Sequence, residues 1–491
     1  MSAAARTLSR DGLYIGGDWR SPSGTAGIEV HEAATEEVLA VVAAADAADV
    51  DAAVAAARAA FPAWSATPVE DRARLLRLLA DGLDARADEL ATVMAREVGT
   101  PIAAASRVQV GLGVAVFRSM ADVVEQLPRE ERIGSSLVLR VPAGVVGAIT
   151  PWNYPLYQLA AKVGPALAAG CTCVVKPSSV APLAAFGVAD VAHELGFPPG
   201  VLNVVTGRGA EAGEVLVRHP EVDLVSLTGS TEAGARVAAL AAPGIKRLTL
   251  ELGGKSAFVL CPDADLEPAL DAAVRTAFVN NGQTCSATTR LLVPPELLPE
   301  VEDRLAATVG AMIVGDPLDP ATQIGPVASA AQYRSIQAHL DGAADQGTVL
   351  VGGPGRVPGL DRGWFVRPTV VSRLDNRAPL AREEIFGPVL AVIPVDDVDD
   401  AVRVANDSDY GLSGAVWAGA VDGAVAVARR LRTGQVSVNG GRFNVLAPFG
   451  GFKKSGIGRE LGPHGLAEYS ELVSLQLPAD GPGTTTVPTA P

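Results

Sequence analysis

Residues 145–179 are VVGAITPWNYPLYQLAAKVGPALAAGCTCVVKPSS, and this stretch decides the fold. Two short apolar runs, VVGAIT at 145–150 and TCVVK at 172–176, flank a longer run of helical length. The longer run approaches membrane-spanning length, but Lys162, Pro165 and two glycines interrupt it, so we interpret it as a buried helix. A strand, a helix and a strand in this order predict one unit of a parallel sheet.

The alternation of strand and helix extends along most of the chain. The apolar runs VLNVVTG, VDLVSLTG and RLTLELGG continue the first sheet, and helical runs separate them. A second alternation begins after Gly254, with the apolar runs SAFVLC, RLLVP, PVLAVIPV, SGAVWA and QVSVNG. The pattern predicts an α/β fold: a doubly wound parallel sheet and a second α/β domain. Ligands of such sheets bind beyond the carboxyl ends of the strands.

Four segments outside these sheets carry predictions of their own. Apolar residues at helical spacing after Asp49 predict an amphipathic helix with Asp49 as its cap. Residues 67–100 begin with a capping-box pattern and end at a glycine, so we expect one long surface helix. Residues 127–144 predict a hairpin without a core of its own, which packs on another subunit. The tail at 479–491 lacks periodicity, and we expect it to be disordered.

The composition excludes several classes of partner. The 491 residues include 40 Lys plus Arg and 55 Asp plus Glu, and the formal net charge of −15 repels nucleic acid. The hydrophobic content of 48% is typical of a globular enzyme and too high for a disordered chain. The four cysteines form no disulfide framework, and the N-terminus MSAAARTLSR has no hydrophobic signal region. We expect a reduced, cytoplasmic protein with no membrane, nucleic acid or metal partner.

Cys285 is the candidate nucleophile. It stands in VNNGQTCSATTR, a polar loop in which Gly282 allows a tight turn, and a reactive thiolate needs such an exposed, polar setting. Cys171, Cys173 and Cys261 sit in or beside apolar strands, where a free cysteine is an ordinary core residue. The loop around Cys285 therefore favours a functional thiol.

Glu251 and Asn153 are candidate partners of this thiol. Glu251 ends an apolar strand, where a half-buried carboxylate has the raised pKa that suits a general base. The alternative is an outward-facing strand residue. Asn153, in the proline-bracketed loop TPWNYP, offers an amide donor for an oxyanion, and ordinary turn chemistry is its alternative.

Two glycine-rich loops and one lysine are candidate contacts for phosphate and ribose. Gly207–Gly213 resembles a dinucleotide fingerprint, with one extra residue before its last glycine. Gly229–Gly234 follows a strand and opens a helix, whose free N–H groups suit a phosphate, although a simple helix cap is the alternative. Lys176 ends a strand, where a cation suits ribose hydroxyls or phosphate, and a solvated lysine is the alternative.

Seven motifs together resemble those of the aldehyde dehydrogenase superfamily, in its NAD(P)-dependent, non-acylating form. They occur in the family's order over nearly the whole chain: TPWNYP, KPSS, SLTGSTEAG, LELGGKS, NNGQTC, EEIFGPV and APFGGFKKSG. The resemblance implies an NAD(P)-binding domain at 1–123 and 144–252 and a catalytic domain at 253–452. It also implies an oligomerisation arm at 124–143 and 466–478, which builds homodimers or homotetramers.

The resemblance further implies a role for each site residue. Cys285 adds to an aldehyde, Asn153 and the Cys285 N–H hold the oxyanion, hydride leaves to the nicotinamide, and water activated by Glu251 hydrolyses the remaining thioester. The residues implied to contact the cofactor are Ile149, Trp152, Lys176, Ser179, Gly209, Gly213, Thr228, Gly229, Ser230, Leu252, Glu384 and Phe386. Those implied to line the substrate tunnel are Tyr154, Gln158, Ala161, Val279, Thr284, Ser286, Phe443 and Phe449.

The sequence leaves cofactor, substrate and rival functions open. Many NAD-preferring relatives carry a glutamate where this chain has Ser179, and without that carboxylate NADP is not repelled. Ala161 favours a bulky or aromatic aldehyde, whereas Arg442 near the tunnel mouth favours a carboxylate-bearing semialdehyde. A thiol-dependent esterase needs no glycine-rich loops or Lys176, and a coenzyme A-acylating dehydrogenase needs no water-activating Glu251.

Overall fold

The β-sheets are built from strands in residues 8–478, the part of the chain that the computed structural model describes. The predicted disordered tail at 479–491 lies outside these residues. In chain order the strands are β1 (Leu13–Ile15), β2 (Asp18–Arg20), β3 (Gly27–His31), β4 (Val38–Ala43), β5 (Glu130–Ile133), β6 (Ser136–Pro142), β7 (Val145–Ile149), β8 (Thr172–Lys176), β9 (Leu202–Val204), β10 (Leu224–Thr228), β11 (Arg247–Glu251), β12 (Ala257–Leu260), β13 (Arg290–Val293), β14 (Thr348–Val351), β15 (Thr369–Ser372), β16 (Val389–Pro394), β17 (Gly414–Trp417), β18 (Ser437–Val438), β19 (Gly456–Ile457) and β20 (Ser470–Gln476).

Helices connect these strands. The α-helices are α1 (Ala47–Ala66), α2 (Val69–Asp84), α3 (Ala87–Val98), α4 (Ile102–Ala104), α5 (Gly111–Gln126), α6 (Pro155–Ala169), α7 (Leu183–Glu194), α8 (Glu214–Arg218), α9 (Thr231–Ala241), α10 (Leu266–Phe278), α11 (Leu298–Gly310), α12 (Ala330–Asp341), α13 (Ala343–Gln346), α14 (Pro379–Arg382), α15 (Val398–Asn406), α16 (Val421–Ala428) and α17 (Gly462–Glu468). Segments Ala105–Val110 and Gly209–Gly213 are π-helical, and Ala242–Gly244, Val279–Gly282 and Lys453–Ser455 are 3₁₀ turns.

The first large sheet has eight strands in the order β19-β11-β10-β7-β8-β9-β1-β2. Its five central strands are parallel and are the five that the sequence predicts. The hairpin β1-β2 and the two-residue β19, which the sequence analysis missed, add antiparallel edges. Parallel register aligns the carboxyl ends of neighbouring strands, so Ile149 pairs with Lys176 and Thr228 with Glu251. The predicted doubly wound sheet is confirmed.

The second large sheet has seven strands in the order β14-β15-β16-β13-β12-β17-β18. Strands β12, β13, β16, β17 and β18 are those predicted after Gly254, and all of them run parallel to their neighbours. The sequence analysis missed β14 and β15, of which β14 is an antiparallel edge strand. The α/β fold class is thus confirmed for both sheets.

The predicted hairpin is present as β5 and β6, which turn at Gly134 with a φ of 60°. Strand β20 pairs antiparallel with the whole of β6, so the order of this small sheet is β20-β6-β5. Several of its apolar side chains face outward, with Leu472 63% and Ile133 57% exposed. The sheet therefore leaves an apolar surface uncovered within this chain.

Two predictions in the N-terminal region are wrong. Residues 67–100 form two helices, α2 and α3, and a break at Ala85 and Arg86 separates them. No side chain caps α2, because its N-cap residue is Pro68, and the Thr67 hydroxyl of the predicted capping box donates to the Ala63 carbonyl. The cap of α1 is Asp46, and Asp49 completes its capping box from the third helical position.

Helix α6 is buried along its length, and no helix in residues 8–478 is long and apolar enough to span a bilayer.

Candidate active site

A tight loop between α10 and β13 carries Cys285. Three consecutive residues before it have left-handed backbones: Asn280 with a φ of 52°, Asn281 with 59° and Gly282 with 74°. A Cβ at Gly282 would lie 2.0 Å from the Gly387 carbonyl oxygen, so no side chain fits there. The tight turn predicted at Gly282 is confirmed, and the two asparagines extend it.

Hydrogen bonds from distant segments hold this loop. The Asn281 amide donates to the carbonyls of Gly99 and Pro326, both at 2.8 Å, and its oxygen accepts from the Gly325 N–H. The Asn280 amide donates to the Asn153 carbonyl at 2.9 Å. These bonds offset the cost of left-handed conformations in residues other than glycine.

The Cys285 side chain is partly exposed at a cavity, whereas Cys171, Cys173 and Cys261 are buried. Burial first, and then the charges of Glu384, Glu251 and Glu460, raise the pKa of the Cys285 thiol. A hydrogen bond from the Ser286 N–H opposes this shift in pKa. Cys285 is therefore the thiol that a ligand in this cavity can reach.

Two hydrogen-bond donors lie beside the nucleophile loop. The buried Asn153 amide follows β7, and one of its N–H groups donates to the Gln283 carbonyl at 3.0 Å. The backbone N–H of Cys285 has no acceptor among residues 8–478. The second amide N–H of Asn153 and the Cys285 N–H are donors of the kind that stabilises an oxyanion.

Glu251 is the last residue of β11, and its side chain is buried. Burial first, and then the charge of Glu460, raise the pKa of its carboxyl well above the usual range. Its Oε2 has no hydrogen-bond partner in the described chain. A Cβ at Gly450, where φ is 145°, would lie 2.6 Å from Oε1, so the glycine gives the carboxylate its space.

A buried ion pair near Glu251 is absent from the sequence predictions. The Lys162 ammonium on α6 donates to Glu460 at 2.6 Å, and both side chains are at most 1% exposed. A lysine inside an otherwise apolar helix is a sequence signal for such a pair, because a buried charge needs a partner. Glu460 lies in no motif that identifies it as this partner.

The cavity at Cys285 has a volume of about 580 Å³. Seven of the eight residues predicted to line a tunnel line this cavity: Tyr154, Gln158, Val279, Thr284, Ser286, Phe443 and Phe449. Ala161 does not, because it is fully buried in the core against other parts of the protein. Residues on the wall that the sequence analysis missed include Val108, Leu112 and Tyr157, and Arg442 also reaches it.

The predicted cofactor residues gather at the carboxyl ends of the first sheet and on the facing loop of the second. Ile149, Lys176 and Thr228 end their strands, and Leu252 follows β11. Gly209 and Gly213 lie in a π-helical turn, and a Cβ at Gly213 would lie 3.4 Å from Cδ of Lys176. Ser179 is partly exposed three residues after Lys176. From the facing loop, the Phe386 ring meets the Trp152 ring edge-on at a centroid distance of 5.3 Å.

The groups in this cleft fit a nicotinamide dinucleotide chemically. Gly229 and Ser230 form the N-terminus of α9, and space is open around Gly209. Burial lowers the pKa of Lys176 to about 8, so its ammonium is retained at neutral pH. Burial raises the pKa of Glu384 to about 7, and its Oε1 accepts from the Gly254 N–H at 2.9 Å. No group of His, Cys, Asp or Glu within residues 8–478 is arranged to hold a metal ion.

Fold and site together define a class of protein: an α/β protein in which the predicted cofactor residues of the first sheet face a loop of the second, and a partly exposed thiol lines a cavity. A family model described as the aldehyde dehydrogenase family matches residues 19–475. The chain therefore belongs to the aldehyde dehydrogenase family, which confirms the resemblance of the seven motifs. It is an enzyme that oxidises an aldehyde to a carboxylic acid with a nicotinamide dinucleotide.

Individual relatives match over nearly their full length. A 3-succinoylsemialdehyde-pyridine dehydrogenase of a Pseudomonas species is 46% identical over 94% of this chain and 98% of its own. A geranial dehydrogenase of Castellaniella defragrans is 44% identical over 96% and 99%. A mutant aldehyde dehydrogenase C of Pseudomonas syringae, solved with NAD⁺ and octanal, is 46% identical, with a TM-score of 0.94 over 95% and 96% of the two chains. A Mycobacterium tuberculosis aldehyde dehydrogenase solved with NAD⁺ is 42% identical, with a TM-score of 0.94 over 96% and 99%.

Proposed function

We propose that Cys285, Glu251 and Asn153 carry out the oxidation. The observation that supports this most is their convergence: the partly exposed thiol lines the cavity, the Asn153 amide bonds the same loop, and the Glu251 charge acts on the thiol. Residues far apart in sequence that the fold brings together around one thiol, where the pKa values of Cys285 and Glu251 are both raised, are typical of an active site.

Each residue has one task in this proposal. After the Cys285 thiol has lost its proton to solvent, the thiolate adds to the aldehyde carbon, and the Asn153 amide and the Cys285 N–H donate to the oxygen, which becomes negative. A nicotinamide dinucleotide held by the cofactor residues would supply the acceptor for the hydride of that carbon. Cys285 then holds the acyl group as a thioester. The raised pKa of Glu251 lets it take a proton from water, and the resulting hydroxide releases the acid and the thiol.

The proposed cofactor is NAD, with NADP also accepted. Lys176 and Ser179 would meet the adenosine ribose, Gly229 and Ser230 the pyrophosphate, and Glu384 the nicotinamide ribose. Ser179 can donate a hydrogen bond to a hydroxyl or a phosphate, and the Lys176 charge lies nearby. Two relatives solved with NAD⁺ support NAD as the first choice.

The proposed substrate is an aldehyde with an extended apolar or aromatic body. The cavity walls carry the rings of Tyr154, Tyr157, Phe443 and Phe449, with Val108 and Leu112 beside them. Neighbouring rings meet edge-on, with centroids 6.0 to 6.3 Å apart. A relative named for geranial and another solved with octanal support this substrate class.

We also propose that the sheet β20-β6-β5 joins copies of this chain, as a dimer or tetramer. Its exposed apolar side chains, Leu472 and Ile133 among them, support this because a second copy would bury them. Residues 1–123 with 144–252 would bind the cofactor and 253–452 would carry the catalytic thiol. A cytoplasmic setting suits this chemistry, because Cys285 must stay reduced.

A panel of aliphatic, aromatic and carboxylate-bearing aldehydes, each assayed with NAD⁺ and with NADP⁺, tests the proposal. The expected result is cofactor reduction with one acid released per aldehyde, highest kcat/KM for extended apolar aldehydes, and no requirement for coenzyme A. Ester hydrolysis without cofactor reduction would instead support the thiol-dependent esterase. Reduction that depends on added coenzyme A would support the acylating enzyme.

A further inference from the structure

A small recess beside the second sheet is not used by the catalytic mechanism proposed above. Its volume is about 20 Å³, and its walls come from residues 255–257 at the beginning of β12, from Arg290 and from residues 405–406, 410–414 and 431–433. It borders the substrate cavity, with which it shares Ser413 and Gly414. A volume of this size holds one or two atoms as large as a water oxygen.

Two buried cations contribute to the wall of this recess. The Lys255 side chain is 2% exposed, and its ammonium makes no hydrogen bond or ion pair with any residue of the described chain. The Arg290 guanidinium, also 2% exposed, donates to the carbonyls of Lys255, Val404 and Ala405. Burial and the Arg290 charge lower the pKa of Lys255 to about 7, against the opposite effects of Glu384 and Glu383.

Polar groups around these cations are donors without partners. Ser256 and Thr433 contribute to the wall of the recess, and the hydroxyl oxygen of each is buried with no hydrogen-bond partner within residues 8–478. Arg432 lies at the rim and forms no ion pair in that part of the chain. The wall contains no aspartate or glutamate among the described residues. Positive charge and free donors, without an acid, are the chemistry that binds an anion.

We propose that the recess is an anion site, in which Lys255, Ser256 and Thr433 hold one small anion. Its size fits a chloride ion, or one oxygen of phosphate with the rest of that ion held at the rim by Arg432. A buried ammonium without a counterion is costly, and an anion at this point neutralises it. This anion site is independent of the catalytic roles proposed above, because its test measures anion binding and thermal stability and not activity.

The proposed anion would link the segment before β12 to the segment before β18, in addition to the contacts that these strands make through β17. Lys255 follows Gly254, whose N–H donates to Glu384, and Thr433 belongs to the segment between α16 and β18. A ligand held by both would stabilise the folded state, since it binds that state and not the unfolded chain. Thermal unfolding therefore reports occupancy without any assay of activity.

The test uses the full chain in two measurements. In crystals soaked in bromide, we expect an anomalous peak within hydrogen-bond distance of the Lys255 ammonium. In solution, chloride should raise the melting temperature by about 1 to 3 °C over gluconate, an anion too large for the recess, at equal ionic strength. A parallel measurement with phosphate distinguishes the two candidate anions. A melting temperature that rises with phosphate and not with chloride would show that the site binds an oxyanion.

Three variants complete the test. Lys255→Met should lose both the peak and the temperature shift, and Thr433→Val, which keeps the lysine, should reduce the shift. The matched control is Lys454→Met, which removes an exposed lysine paired with Asp409 at 2.7 Å and should keep the wild-type response. A wild-type protein with no bromide peak and no rise in melting temperature with either chloride or phosphate, or an equal anion-induced shift in Lys255→Met, would overturn the proposal.

Discussion

The two sides of the candidate site are held in place in different ways. On the first sheet, Lys176 and Glu251 end parallel strands and Asn153 follows one, so the register of the sheet brings them to one edge. On the other side, Cys285 follows a loop between α10 and β13, with two left-handed asparagines and a glycine before it. The two asparagines fix that loop by donating to the carbonyls of Gly99, Asn153 and Pro326 and by accepting from the Gly325 N–H.

The position of a strand-end residue is fixed by the hydrogen bonding of the sheet. The position of Cys285 is fixed by side-chain hydrogen bonds from its loop to distant segments. A strand end keeps its position as long as the sheet is intact, whereas the nucleophile loop depends on individual side chains. Substitutions at strand ends should therefore alter the rate of one chemical step or the binding of one ligand. Changes in the loop should alter the geometry of the thiol itself.

Cys285→Ala removes the reacting atom of the loop and should have the largest effect. Aldehyde oxidation should fall by at least about 10⁴-fold, while cofactor affinity stays within about twofold, because the thiol provides no cofactor contact. Steady-state turnover and cofactor titration measure the two quantities. Cys171→Ala is the matched control in the core, and a similar loss there would mean that the nucleophile was wrongly assigned.

Glu251→Gln tests a strand end and should separate the two halves of the reaction. The amide keeps the shape but cannot accept a proton from water, so steady-state kcat should fall by about 10² to 10⁴-fold. The rapid burst of reduced cofactor should persist, because hydride leaves before water attacks. Stopped-flow absorbance resolves the burst. If burst and turnover decreased together, Glu251 would instead act on the thiol.

Ser179→Glu tests a cofactor contact at the same sheet edge. A carboxylate there would stand against the 2′-phosphate, and partly screened repulsion at contact costs about 1 to 4 kcal/mol. kcat/KM for NADP⁺ should therefore fall by about 10 to 10³-fold, with little change for NAD⁺. Measuring both cofactors in both proteins checks this, and equal losses would place Ser179 away from the ribose.

Asn281→Ala tests the support of the nucleophile loop without touching the thiol. It removes three hydrogen bonds and leaves alanine in a left-handed backbone, so kcat should fall by about 10 to 10²-fold through misplacement of Cys285. Cofactor affinity should stay unchanged. Slower alkylation of Cys285 by iodoacetamide would report the displaced thiol, and wild-type rates of both alkylation and turnover would contradict this role for the asparagine.

The pH dependence of cofactor binding should give the smallest effect, a change of about two- to fivefold. Glu384, with its pKa near 7, gains its charge as pH rises through 7, and Lys176, with its pKa near 8, loses its charge as pH rises through 8. Affinity for NAD⁺ should thus be highest between pH 7 and 8. Calorimetry should find the alkaline decrease absent in Lys176→Met and the acid decrease absent in Glu384→Gln.

The same contrast explains how much the sequence could predict. The five parallel strands of the first sheet are continuous apolar runs, and their ends identify Lys176 and Glu251. The break at Ala85 and Arg86 has no glycine or proline to indicate it, so two helices resemble one. Tyr157 and the partner of Lys162 depend on contacts between distant segments, which periodicity does not contain. Ala161 occupies the helix that lines the cavity but lies in the core, because spacing alone does not fix which side of a helix is covered.

Strand β19 has a consequence for the order of events during synthesis. Gly456 pairs with Glu251, and Glu460 pairs with Lys162, although the partners lie about 200 and 300 residues apart. While the ribosome still holds the last part of the chain, the edge of β11 is open and the Lys162 ammonium has no counterion. The site for chemistry on a reactive aldehyde is therefore completed only when nearly all of the polypeptide has emerged. A nascent chain would therefore contain Cys285 before the surroundings of Glu251 and Lys162 are complete.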